Sequence, residues 1–75
     1  MKAKMNKDNN CFAVKSKNGL YFCGYNKWDS QLRKAKLYHW YSMAEEIAQD
    51  NRFIQYKPYI VHVTIIEDNI IDSNK

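Results

Sequence analysis

Trp28-Asp29-Ser30-Gln31-Leu32-Arg33-Lys34-Ala35-Lys36-Leu37-Tyr38-His39-Trp40-Tyr41-Ser42-Met43-Ala44-Glu45-Glu46-Ile47-Ala48-Gln49 runs without interruption from sheet-like sequence into helix, and its reading decides the fold. Ala35 to His39 alternates in polarity, as a half-buried strand does, and predicts a third strand. Ser42 then stands as a helix N-cap. Its hydroxyl can accept from the free backbone N–H three residues on, while the Glu45 carboxylate can reach back to the N–H of Ser42, completing a capping box. Met43, Ala44, Ile47 and Ala48 recur on one helical face, and Glu45, Glu46, Gln49 and Asp50 on the other. The spacing predicts about two turns of helix, packed on a sheet through Met43, Ile47 and Ala48. Glu45 and Glu46 meet the positive end of the helix dipole, a capping and solubilising role rather than a catalytic one. A single helix from Ser30 to Asn51 is the competing reading. It would enclose the strand-favouring rings Tyr38, Trp40 and Tyr41 and leave the cap at Ser42 redundant.

Upstream, Cys11 to Lys17 and Leu20 to Tyr25 flank Asn18-Gly19, the preferred pair for a two-residue type I′ turn. That turn sets Lys15 opposite Phe22 and Val14 opposite Cys23. Phe12, Val14, Ser16, Tyr21, Cys23 and Tyr25 then share the core face, and Cys11, Ala13, Lys15, Lys17, Leu20, Phe22 and Gly24 the other. Cys11 and Cys23 would lie on opposite sides of the sheet, where no bridge can form. Between hairpin and third strand, Asp29 or Ser30 can cap a short helical turn through Gln31 to Ala35, pinned to the core by Trp28, Leu32 and Ala35.

Downstream, Asn51 to Pro58 reads as a return loop that Pro58 prevents from continuing the helix. Tyr59 to Ile66 is the strongest strand. Val61, Val63 and Ile65 line one face of it, and Ile60, His62, Thr64 and Ile66 the other. Ile70 and Ile71 could add a short pairing. The expected fold is therefore α+β: a small, mainly antiparallel sheet of three to four strands with one packed helix, in the order β-β-β-α-β. One domain spans residues 1–75, with 1–9 and 68–75 as mobile ends.

The chain has 75 residues, 45% of them apolar and 15% aromatic, so its core is thin and leans on large rings. Association would enlarge that core, and a homodimer through a strand edge or an aromatic surface is one open expectation. No apolar run approaches the roughly 20 residues that span a bilayer, and the basic N-terminus lacks the apolar stretch of a signal peptide, so a cytoplasmic chain with no membrane partner is expected. Reduced thiols fit that compartment. Cys11, Cys23, His39 and His62 lack the short paired spacing of a zinc module, and no cofactor motif is present. His39 and His62 read as ordinary half-buried or surface residues, and Ser30 and Ser42 as caps, so neither a metal nor a catalytic set is expected. The net charge of +4 divides unevenly: residues 1–36 carry nine Lys/Arg against two Asp, and residues 37–75 three against six Asp/Glu. This small basic protein is basic in front and acidic behind.

Cations interleaved with rings suit nucleic acid, since lysines attract phosphates while rings stack on bases. The candidate binding residues are Lys15, Lys17, Phe22, Lys27, Trp28, Arg33, Lys34 and Lys36. The same lysines also guard a hairpin edge against aggregation, and the same rings also build a core.

Phe12-Ala13-Val14-Lys15, Asn18-Gly19-Leu20-Tyr21-Phe22-Cys23-Gly24-Tyr25, Trp28, Leu32, Ala35-Lys36-Leu37-Tyr38 and Ser42-Met43-Ala44-Glu45-Glu46-Ile47-Ala48 together resemble small uncharacterised accessory proteins of phages and prophages of Gram-positive bacteria. The likeness covers residues 11–66 and rests on structural motifs. It implies a phage protein that acts inside the infected cell by binding, as host-defence inhibitors do, on a host protein or ribonucleoprotein. A small nucleic-acid-binding module is the alternative.

Overall fold

The computed structural model describes residues 10–66 and 69–72. Strands β1 (Asn10–Lys15), β2 (Tyr21–Gly24), β3 (Lys27–Asp29), β4 (Tyr59–Ile66) and β5 (Asn69–Asp72) form one antiparallel sheet in the order β3-β2-β1-β4-β5. Among the described residues the helical elements are helix α1 (Tyr41–Ala48) and the 3-10 segments Leu32–Lys34 and Asn51–Tyr56. The class is α+β, as expected. The sheet has five strands rather than three to four. β3 is three residues long, too short to display a period, and β5 arises where Ile70 pairs with Ile65 and Ile71 with Thr64. The C-terminal end expected to be mobile therefore contributes a strand over 69–72, while the arm 1–9 lies outside the described residues.

The first hairpin turns through three residues, not two. Lys15 pairs with Tyr21, and the Ser16 N–H donates to the Leu20 carbonyl at 2.7 Å. A type I′ turn needs positive φ at both Asn18 and Gly19, but among the described residues of this turn only Gly19 has it, at 89°. Gly19 N–H donates to the Ser16 carbonyl at 3.0 Å, and the buried Ser16 Oγ accepts from the Leu20 N–H, also at 3.0 Å. This is the three-residue alternative for the same Asn-Gly signal: a β-turn closed by a glycine bulge. One extra residue moves every side chain of β2 to the other side relative to β1. Phe22 joins Phe12 and Val14, and Tyr21 joins Lys15 and Ala13. Cys11 pairs opposite Val63, while Cys23 lies at the irregularity between Phe22 and Gly24; both are free thiols.

Past Lys15 and Tyr21 the hairpin opens, and the segment predicted as the third strand enters the gap. Tyr38 exchanges two backbone hydrogen bonds with Phe12, at 2.7 and 2.8 Å, and the Lys36 N–H donates to the Phe22 carbonyl at 2.8 Å. The alternation was real, but it serves an isolated bridge: Leu37 and Ala35 pack on one side of the sheet and Tyr38 on the other. The third strand in the chain is Lys27–Asp29 instead.

α1 begins at Tyr41 with Trp40 as N-cap, and no side chain caps it. The capping box is thus corrected. The Trp40 carbonyl accepts from Met43 and Ala44, which places Ser42 inside the first turn rather than at the cap position. Ala44 is buried and Ile47 and Ala48 are half-buried, but Met43, expected in the core, is 48% exposed. Residues 30–51 are not one helix: 3-10 segment, bridge and α1 follow one another.

Both sides of the sheet are covered. On one, Val14, Phe22, Tyr38, Ala44 and Phe53 form a buried cluster joined by Phe12, Trp28, Ile47 and Tyr56. On the other, Ala13, Tyr21, Val61 and Val63 pack under Leu32, Ala35, Leu37 and Ile70. The connector residues expected to act together are therefore divided, Trp28 to the first cluster and Leu32 and Ala35 to the second. Asp29 does not cap the helical turn: its N-cap is Gln31, with no side-chain bond, and the Asp29 carboxylate instead accepts from the Gln31 N–H at 2.7 Å, in a turn just ahead of it.

Candidate functional site

The register change dissolves half of the predicted binding face. Phe22 is buried, 4% exposed, with its ring 5.4 Å from Trp28 and 5.1 Å from Phe53. Lys15 lies on the opposite side of the sheet. Its Nζ is 3.4 Å from Asp72 Oδ2, an oxygen that also accepts from the Tyr21 hydroxyl at 2.9 Å. Partial burial by itself lowers the Lys15 pKa, but the Tyr21 hydroxyl and the Asp72 charge outweigh it, and the ammonium is held above its ordinary value. Burial first, and the Asp72 bond second, raise the Tyr21 phenol. Lys15 is a structural cation. Lys17 is exposed on the turn, where its N–H donates to the Tyr56 carbonyl at 3.0 Å.

The other half of the set comes together around the β2–β3 turn. Trp28, the one candidate ring there, is a half-buried support: Tyr56 stacks on it at 4.5 Å with 19° between the planes, and Phe22 and Phe53 meet it edge-on. Its indole Nε1 is buried without a hydrogen-bond partner among the described residues. Along the β3 edge, a groove of about 680 Å³ is lined by Leu20, Cys23, Lys27, Trp28, Lys34 and Tyr56, among others. Burial and the Asp29 charge raise the Cys23 thiol pKa against the opposing pull of Lys34 and Lys27. This thiol is protonated and unreactive at neutral pH. Lys34 Nζ is 3.8 Å from Asp29 Oδ2, an exposed and hence weak pair. Arg33 is exposed, its Nε donating to Gln31 Oε1 at 2.8 Å.

Two residues of this corner carry no sequence signal that singled them out. Tyr25, expected on the core face, is 90% exposed, and its backbone sits at φ 53°. A bulky side chain in the left-handed region is strained, by about 1–2 kcal/mol. Gly24, at φ 104°, precedes it, and the pairing of Gly24 with Lys27 leaves Tyr25-Asn26 as the tip of the turn. Arg52 is the second. A groove of about 450 Å³ is lined by Tyr25, Lys36 and Arg52 together with Gly24, Tyr38 and Ile47. The hydrogen bonds from Arg52 hold the Asp50 carboxyl below its usual range and keep the guanidinium itself firmly charged. Lys27 and Lys36, both exposed, have no carboxylate partner among the described residues.

Nowhere among the described residues do three or more His, Cys, Asp or Glu converge as metal ligands, and no helix there is long and apolar enough to cross a membrane. Cys11 Sγ lies 3.9 Å from His39 Nδ1, with burial raising the thiol pKa, the opposite of what activates a nucleophile. No protein-family model, curated protein or solved structure matches the chain.

Proposed function

We propose that this chain is a non-enzymatic binding protein that engages its partner through the β2–β3 tip. The observation that carries the reading is Tyr25, a ring 90% exposed on a positive-φ backbone, which lines one groove with Lys36 and Arg52 and stands two residues before the exposed Lys27. Strain of this kind persists only where the surroundings enforce it, and it gathers at sites of recognition. An exposed aromatic anchor with a charged rim is what a binding surface needs, whereas catalysis needs convergent titratable groups with shifted pKa values in a cleft. In the setting that the phage resemblance implies, the partner is a host protein or ribonucleoprotein in the cytoplasm, bound and thereby blocked. Affinity capture from a Gram-positive host lysate tests this with the wild type beside Tyr25→Gly. A specific partner held by the wild type and lost from the variant is expected. A partner held equally by both, or none held by the wild type, overturns it.

A further inference from the structure

We infer that the β2–β3 tip binds single-stranded nucleic acid, Tyr25 stacking on a base while Lys27, Lys36, Lys34 and Arg52 hold the flanking phosphates. This rests on the binding role assigned to the tip and names the chemistry of what is bound there.

The sign of the charge comes first. Lys27, Lys34, Lys36 and Arg52 line the two grooves at this corner, and among the described residues the only acidic one lining either is Asp29. Asp29 holds Lys34 at 3.8 Å in an exposed pair weak enough to exchange for a phosphate, whereas Asp50 grips Arg52 through several hydrogen bonds and leaves the Arg52 side chain 66% exposed. Lys27 and Lys36 need no such exchange. A ligand that satisfies this surface must bring several negative charges at short spacing, as a nucleic-acid backbone does.

The ring decides between an unpaired strand and other polyanions. Both faces of a side chain 90% exposed stand open, and every unpaired base presents a π-face that can stack on it. Paired bases are already stacked within their helix and offer a tip of this kind their backbone only. An apolar protein surface is the poorer match: an energetic hot spot sits among apolar neighbours that exclude water, whereas Tyr25 is followed by Asn26 and Lys27, both exposed. The two grooves share Cys23 as a lining residue, so a strand laid over the tip can pass from one to the other across the end of β2.

The test is fluorescence anisotropy with labelled single-stranded DNA and RNA of about 12 nucleotides, within the range that small binding folds occupy. Wild type is titrated from about 50 to 200 mM salt, beside Tyr25→Gly, Lys27→Gln and Lys36→Gln. Single-strand binding is expected with a log–log salt slope of about −2 to −3, each lysine substitution flattening it by about 0.7. Tyr25→Gly is expected to weaken binding about tenfold with the slope unchanged, since stacking releases no counterions. Circular dichroism of each variant confirms the fold. Absence of binding to either strand at low salt overturns the inference, as does binding that Tyr25→Gly leaves intact or duplex bound as tightly as single strand. Lysate capture that depends on Tyr25 while oligonucleotides fail would remove this inference and leave the binding role standing. Capture that ignores Tyr25 would remove both.

Discussion

The Tyr21 hydroxyl donates to Asp72 Oδ2 over 2.9 Å with both residues buried, tying β2 to the last strand across the sheet. Lys15 Nζ approaches the same oxygen at 3.4 Å and lies 5.0 Å from the centre of the Tyr21 ring. Removing the buried Asp72 carboxylate leaves the partly buried Lys15 ammonium and the buried Tyr21 hydroxyl without their shared acceptor. Asp72→Ala is therefore expected to cost about 3 kcal/mol. Tyr21→Phe, which removes one bond to a charged acceptor, should cost about 1.5 kcal/mol. Urea denaturation of both and of the double variant checks this: the double loss should fall short of the two single losses added together, because the two groups share one interaction. Fully additive losses would show that the bond contributes nothing.

Stability should fall on the alkaline side. Burial raises the thiols of Cys11 and Cys23 and the phenols of Tyr21 and Tyr38 above their ordinary values, and the Tyr21 and Asp72 contacts raise the Lys15 ammonium against its own desolvation. A raised folded pKa contributes stability that is complete below the unfolded value and is lost as pH rises through the folded one. All five groups act in the same direction. The urea midpoint under reducing conditions should be lower at about pH 10.5 than at pH 8, with the decline beginning near the thiol values. An unchanged midpoint would contradict the burial of these groups.

Two turn positions should respond with opposite signs. Gly19 is at φ 89° with no atom within 4 Å of where a Cβ would stand, so Gly19→Ala meets only backbone strain, about 1 kcal/mol destabilising. Tyr25 is at φ 53° and nearly fully exposed, so Tyr25→Gly relieves strain without losing packing and should stabilise by up to about 1 kcal/mol. A variant that is more stable yet binds less tightly separates recognition from folding. Thermal melts of the two variants provide the check.

Phe22→Ala should behave as a core deletion, costing about 3–5 kcal/mol, enough to unfold most of so small a domain. Lys17→Ala, on an exposed turn, should stay within about 0.5 kcal/mol of wild type.

The sequence made the main elements legible where a pattern ran long enough. Eight alternating residues give β4 at the expected bounds, and the short helical turn of the connector lies at Leu32–Lys34. What could not be read is the count of residues in the first turn. Asn18-Gly19 serves a two-residue type I′ turn and a three-residue bulged turn equally well, and the choice is made by Lys36 and Tyr38 bonding to Phe22 and Phe12, contacts remote in the chain. That one residue moved Phe22 from the expected binding face into the core. Ser42 and Glu45 have the composition of a capping box, but the extended backbone of Trp40 starts the helix earlier. Of the candidate site, Lys27, Lys34 and Lys36 were legible as cations. Tyr25 was not, because its exposure follows from the Gly24 bulge rather than from alternation, and Arg52 sat in a stretch read as a loop.

The central claim is that the β2–β3 tip binds single-stranded nucleic acid. Amide chemical-shift mapping of the labelled protein during titration with a single-stranded oligonucleotide tests it most directly. The account predicts the largest shifts at Gly24 to Trp28, Lys34 to Lys36 and Arg52, with the exposed apolar residues Trp40, Tyr41, Met43, Ile66 and Ile71 unmoved. Shifts centred on any of those apolar residues, or no shifts at all, would contradict it.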